Sequence, residues 1–171
     1  MMHSNALKSA LSAAVLGFLA LGLASTLAVA QADPATTTFG VSATVLKDCI
    51  VSATSLAFGN YTGAVNNSTS TVTVTCTNTT TYTVGLSAGL ATGATVTTRQ
   101  MAITQPAGAL NYALYSDSGR SSNWGNTSAT NWVSGTGNGA AQPLTVYGQI
   151  PANQYVTPGA YTDTITATVT Y

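Results

Sequence analysis

Alternation with a period of two runs through most of this chain, and it is clearest in the closing stretch AYTDTITATVTY. Tyr161, Ile165, Ala167, Val169 and Tyr171 fall at odd positions, and Thr162, Thr164, Thr166, Thr168 and Thr170 at even ones. Successive side chains of an extended strand point to opposite faces, so the pattern predicts a half-buried strand with an apolar face and a polar face. The same pattern returns in TTTFGVSATVL (36–46), where Phe39, Val41, Ala43 and Val45 share a face. TVTVTCT (71–77) aligns Val72, Val74 and Cys76, and TYTVGLS aligns Tyr82, Val84 and Leu86. LNYALYS alternates Leu110, Tyr112 and Leu114, while LTVYGQI alternates Leu144, Val146 and Ile150. Beyond the N-terminal segment, no stretch holds the helical period over an ordinary length.

Between these runs lie NYTGAVNNS, SAGLATGA, TQPAG, SDSGRSSNWGN, SGTGNGAAQP and PANQYVTPG, all rich in turn residues. Short strands separated at such spacing predict an all-β fold, an antiparallel β-sandwich, with a barrel as the other closed solution. The stretch from Asp117 to Gln142 alternates least, and Trp124 and Trp132 are expected to anchor it to the sandwich.

Residues 1–30 read as a secretory signal peptide: MMHSNALK supplies a short n-region and the apolar run after it ends in small residues. Cleavage after Ala30 or after Ala32 fits the small-x-small rule equally well. A membrane anchor of that length is the rival reading, and the polar, Thr-rich sequence that follows favours processing. What remains is enough for one domain and short for two.

An exported chain meets an oxidising compartment, so Cys49 and Cys76 are expected to form a disulfide. Two thiols with no histidine nearby are too few for a structural zinc site. Charge is sparse: the exported part sets Asp33, Asp48, Asp117 and Asp163 against Lys47, Arg99 and Arg120, which leaves no basic patch for nucleic acid. Catalytic parts are missing as well. The one histidine, His3, leaves with the signal peptide and glutamate is absent, so a Ser-His-Asp triad cannot be assembled and the usual acid–base pairs lack members. These absences argue against an enzyme, a cofactor or a metal. DSGRSSN (117–123) offers oxygen ligands from Asp117, Ser118 and Asn123, but a lone carboxylate makes a poor calcium site. A polar turn with Gly119 at positive φ is the better reading.

In order along the chain stand CIVSATSLAFGNY, TVTVTCTNTTTYTVGLSAG, LNYALYSDSGRSSNWG and LTVYGQIPANQYVTPGAYTDTITATVTY. With a Cys ahead of Phe58-Gly59, a second Cys closing a Val/Thr strand, LxYxLY, an Arg before WG and a terminal GxYxDTxxxTxxY, this series resembles the spore coat protein U domain family. That family includes the subunits of archaic chaperone-usher pili. The resemblance implies an incomplete immunoglobulin-like sandwich that lacks one strand. In such pilins a periplasmic chaperone lends the strand, and at the outer-membrane usher the N-terminal strand of the next subunit replaces it.

Carried onto this chain, the resemblance implies a donor strand in residues 33–46 and a pilin domain in residues 47–171. Thr37, Phe39, Val41, Ala43 and Val45 would be the inserted side chains. The sequence favours that reading independently, because 36–46 alternates without any hairpin turn tying it to a neighbour. Tyr161, Ile165, Ala167, Val169 and Tyr171 would border the groove, first against the chaperone and then against the donor. A terminal carboxylate on Tyr171 would suit the basic anchor of such chaperones. No Lys, Arg or Pro follows Gly159 to guard that edge.

Two features depart from the better-known pilins. Gly40 lies on the outward face of the donor segment, and Asp163 shares the apolar face of the last strand near its start, where capping or pairing would accommodate it. The expectation is a structural pilus subunit, exported through the periplasm and polymerised head to tail into surface fibres for attachment and biofilm. A minor or tip adhesive subunit, with the Asp117–Gln142 loop recognising a surface or a sugar, is the alternative. A self-complete secreted coat protein is the third reading.

Overall fold

The structure is a computed structural model that describes residues 33–103, 107–127 and 130–171, so the expected signal peptide lies outside the described residues. The chain divides after Ser42. In residues 33–42 there is no strand or helix, and Phe39 and Val41 are each 85% exposed. In the second unit, residues 43–48 also lack regular structure, with Val45 and Leu46 exposed.

Eight strands follow: β1 (Cys49–Ala53), β2 (Asn66–Cys76), β3 (Thr81–Leu86), β4 (Arg99–Ile103), β5 (Gly108–Tyr115), β6 (Val133–Thr136), β7 (Gln142–Ile150) and β8 (Ala167–Thr170). Every pairing is antiparallel. The strands make a five-stranded sheet, β1-β2-β7-β5-β4, and a three-stranded sheet, β6-β3-β8. Among the described residues there is no helix, and the expected all-β sandwich is what forms.

Alternation places the core. Val72, Val74 and Cys76 of β2, Tyr82, Val84 and Leu86 of β3, Leu110, Tyr112 and Leu114 of β5, and Val146 and Ile150 of β7 are all buried. Side chains from both sheets meet in one cluster, each contributing about 1.5–3 kcal/mol of transfer free energy. Gly148 interrupts the inward row of β7 because Leu56 and Phe58 cross it there. A Cβ at that position would stand 2.8 Å from Leu56 Cδ1 and 2.9 Å from Phe58 Cζ.

Three ties organise the connections. Cys49 and Cys76 sit opposite each other at the start of β1 and the end of β2 and are disulfide-bonded. Trp124, 1% exposed, joins the two sheets: its amide donates to Leu114 O of β5 (2.8 Å) and its indole Nε1 donates to Val84 O of β3 (2.9 Å). Trp132 is only half-buried. The third tie is the turn after β5, where the residue at positive φ is Arg120 (φ 54) and not Gly119. Asp117 accounts for that shift. Its carboxylate accepts from the amides of Ser121 and Ser122, and the Arg120 amide donates to Asp117 O, which places the turn's left-handed position one residue later. The Ser122 amide foremost, with Ser121, holds the Asp117 carboxyl below its usual range. Arg120 reaches back over the Tyr147 ring, 5.8 Å from its centroid.

Candidate functional site: a groove along the last strand

From Tyr161 to Val169 every odd residue is half-buried and every even one exposed, as the alternation requires. The odd side chains stop short of full burial, unlike those of β2, β3 and β5. They also fall short of a full-length strand: the sequence predicts one over the whole closing stretch, but the ladder covers only β8. Upstream of it, Thr162 turns to the other sheet and exchanges both main-chain hydrogen bonds with Ala102 of β4 (2.9 and 3.0 Å).

Main-chain direction shows what is left open. Ser87 N donates to Thr166 O (3.0 Å), and the ladder continues with Gly85 opposite Thr168 and Thr83 opposite Thr170. Hydrogen-bonded and non-bonded pairs alternate in an antiparallel ladder, so the even residues turn their main-chain groups to β3. Those of Ile165, Ala167 and Val169 face the opposite way, and β8 ends its sheet with no ladder partner on that side among the described residues. The residues that aim side chains inward are thus the ones whose N–H and C=O groups face an unfilled edge.

Across from this edge, residues 55–58 have left the ladder after Thr54 N donates to Thr71 O, and they are held by side chains of β2. Ser68 Oγ donates to Ala57 O (2.6 Å), and Asn66 Nδ2 donates to Phe58 O (2.9 Å). Between the two walls runs a cleft of about 420 Å3, floored by Val72, Leu86, Met101, Tyr112, Leu114 and Val146. It shares Leu56, Phe58, Met101 and Tyr161 with a wider cleft of about 890 Å3 that Tyr61, Tyr155 and Val156 also line.

Asp163 explains how an acid fits the apolar face. Its Oδ1 accepts from the amides of Leu90 (2.8 Å) and Thr164 (2.7 Å), and its Oδ2 accepts from the Tyr112 hydroxyl (2.6 Å). Gly89, at φ +92, makes room for this carboxylate: a Cβ there would overlap it. Beneath lies Arg99, fully buried, whose guanidinium donates to the carbonyls of Leu86, Ser87, Val96 and Trp124 at 2.7–3.1 Å. Four carbonyl acceptors satisfy the buried cation. Desolvation lowers the Arg99 pKa.

Burial foremost, then the hydrogen bond and charge of Asp163, pushes the Tyr112 phenol well above its ordinary value of 10.0. A raised folded-state value means that this contribution to stability is fully present below pH 10 and is lost as pH rises through the folded value. Alkaline denaturation checks it: Tyr112→Phe should flatten the fall in stability above that pH. At neutral pH it should cost about 1–3 kcal/mol, because Asp163 Oδ2 loses its donor.

Of the residues expected at this edge, Tyr161, Ile165 and Ala167 line the groove and Val169 packs on the core. Tyr171 lies past the last ladder residue and borders a concavity on the outer face. The expected donor residues Thr37, Phe39, Val41, Ala43 and Val45 are all exposed. Arg99, Met101 and the Asp163–Tyr112 pair escape a sequence reading. The available signals are a solitary arginine opening an apolar run and an acid on an apolar face.

Protein U of Myxococcus xanthus is 35% identical to this chain, with 98% of this chain and 99% of that protein aligned. A chain of the CsuC–CsuE chaperone–tip adhesion subunit pre-assembly complex, from archaic chaperone-usher Csu pili of Acinetobacter baumannii, shares the fold. Its TM-score is 0.58 at 24% identity, over 75% of this chain and 41% of that one, so this chain spans under half of its length. Residues 35–168 match the Spore Coat Protein U domain, and the chain belongs to that family.

Proposed function

We propose that this protein is a pilus subunit that polymerises by donor-strand exchange, residues 36–46 of one copy filling the groove of the next. One observation carries the reading: Ile165, Ala167 and Val169 turn both inward side chains and unclaimed main-chain groups to an open edge. An added strand supplies what both lack, a hydrogen-bond ladder and side chains for successive pockets. The same chain carries a segment of matching alternation, in which Phe39, Val41 and Val45 are each 85% exposed. If four such side chains bury roughly 400 Å2, transfer at about 25 cal/mol per Å2 contributes on the order of 10 kcal/mol before ordering costs.

Before assembly such an edge needs a temporary cover, which a periplasmic chaperone would supply and an outer-membrane usher would exchange. The fold shared with a chain of a chaperone–subunit complex and the disulfide support that route. Residues 1–30 would direct export and the fibre would stand at the cell surface. No catalytic step is required of any residue.

Periplasmic protein made with its chaperone tests this on unboiled and boiled denaturing gels, with and without residues 33–46. A ladder for the full chain, collapsing on boiling and absent from the truncated chain, is expected. Monomer bands for both would mean that the sandwich completes itself, as a secreted coat protein would.

A further inference from the structure

The outer face of the β6-β3-β8 sheet, opposite the groove, is built almost entirely of hydroxyls. The register sets Thr81 beside Thr136, and Ser134, Thr83 and Thr170 in one row across all three strands. Thr168 stands one residue pair further along, opposite Gly85. Thr81, Ser134, Thr136, Thr168 and Thr170 are exposed, since their inward neighbours Tyr82, Val84 and Leu86 take the core. Two aromatic side chains flank the rows: Trp132, half-buried ahead of β6, and Tyr171, 51% exposed beyond β8. Together they line a shallow concavity of about 680 Å3, and no charged side chain is among its lining residues.

We infer that this face binds an uncharged polysaccharide. Each part of the surface selects that class. An indole offers a flat apolar area to the C–H side of a pyranose ring, and rows of donor–acceptor hydroxyls match the ring's own hydroxyls. An acidic glycan or a nucleic acid would call for cationic side chains, which the lining lacks. A second protein would be expected to find Met or Arg anchors beside aromatic ones, and apart from Tyr82, Trp132 and Tyr171 the lining is threonine, serine and glycine. The volume lies within the range of small-molecule sites, roughly 300–1,000 Å3, and is open enough to let a chain pass through.

The face also stands clear of the groove, so a strand added beside β8 leaves it uncovered and lengthens it. With Phe39, Val41, Ala43 and Val45 inward, the donor would present Thr36, Thr38, Ser42 and Thr44 outward as a further hydroxyl row next to Thr168 and Thr170. That extension rests on the donor-strand reading; the Trp132 platform does not.

Intrinsic fluorescence of the mature protein, bound to its chaperone, tests the platform with cellohexaose, chitohexaose and mannohexaose as probes. Of this chain's two tryptophans Trp124 is sealed in the core, so the change that remains after subtracting the chaperone alone comes from Trp132. At least one probe should give a saturable change in the parent, and calorimetry should show that Trp132→Phe, which loses the fluorophore but keeps a ring, retains most of the affinity. Trp132→Ala, followed by calorimetry, should weaken that binding about tenfold or more, and Thr83→Val several-fold, with the chaperone complex still formed. No saturable change with any of the three overturns the inference, as does equal affinity in Trp132→Ala or tighter binding of dextran sulfate. A sugar-independent signal that grows with protein concentration would assign the face to a second copy and overturn it too. The truncated chain lacking 33–46 separates the two readings: loss of the gel ladder with sugar binding retained speaks to the groove alone.

Discussion

Replacing Trp124 with alanine is expected to lower the stability of the folded chain by about 4–6 kcal/mol, a large part of the roughly 5–15 kcal/mol available to an ordinary domain. Two losses combine. The side chain is 1% exposed, so its removal leaves a cavity between sheets that do not share a strand. Its Nε1–H also donates to Val84 O in the middle of β3, a second bond to a carbonyl that the ladder sets opposite Val133 of β6. The main chain at this position is equally committed, since Arg99 Nη2 donates to Trp124 O and Leu86 N donates to Gly125 O. Urea denaturation of the chaperone-free protein would read the effect, with Trp124→Phe as the informative companion. That variant keeps most of the volume and loses the indole hydrogen bond, so about 1–3 kcal/mol of destabilisation is expected. Equal midpoints for Trp124→Ala and the parent would show that the connection packs passively on the sandwich.

Removing the disulfide should have the next largest effect. With a sequence separation of 27 between Cys49 and Cys76, closing the loop restricts the unfolded chain by an amount equivalent to about 3–4 kcal/mol. The double substitution Cys49→Ala, Cys76→Ala should therefore shift the denaturation midpoint downward, and reduction of the parent should shift it by the same amount. The two cysteines face each other across a non-hydrogen-bonded pair, because the neighbouring Thr77 N donates to Asp48 O, so the backbone ladder can survive without the bond. A parent and a double mutant with matching midpoints would mean that the unfolded chain is already held compact.

Strands whose inward residues are Val, Leu, Ile or Tyr are legible as sequence: β2, β3, β5 and β7 stand where alternation puts them. Two of the others are not, for identifiable reasons. β4 begins with Arg99, a residue no alternation rule would bury, and its burial depends on carbonyls from three separate stretches, at Leu86–Ser87, Val96 and Trp124. β6 offers one apolar side chain, Val133, and is a strand because β3 supplies its ladder. At the site, the odd-even division of the last segment reads directly from its threonines. Its length as a strand does not, since ladder formation needs a neighbour and only β3 provides one. The place of Asp163 is likewise set by groups far away in the chain, 73 residues off at Leu90 and 51 at Tyr112.

The position of the disulfide has a mechanical consequence. Cys49 is the first residue of β1, directly after the exposed segment that ends at Asp48. Tension entering through that segment would, without a crosslink, open β1 from its first residue and break its ladder one pair at a time. The sulfur bridge instead delivers the load to Cys76 on β2, a strand of 11 residues held along both edges by β1 and β7. Force on that segment is thereby shared at once with β2, whose main-chain bonds run to neighbours on both sides.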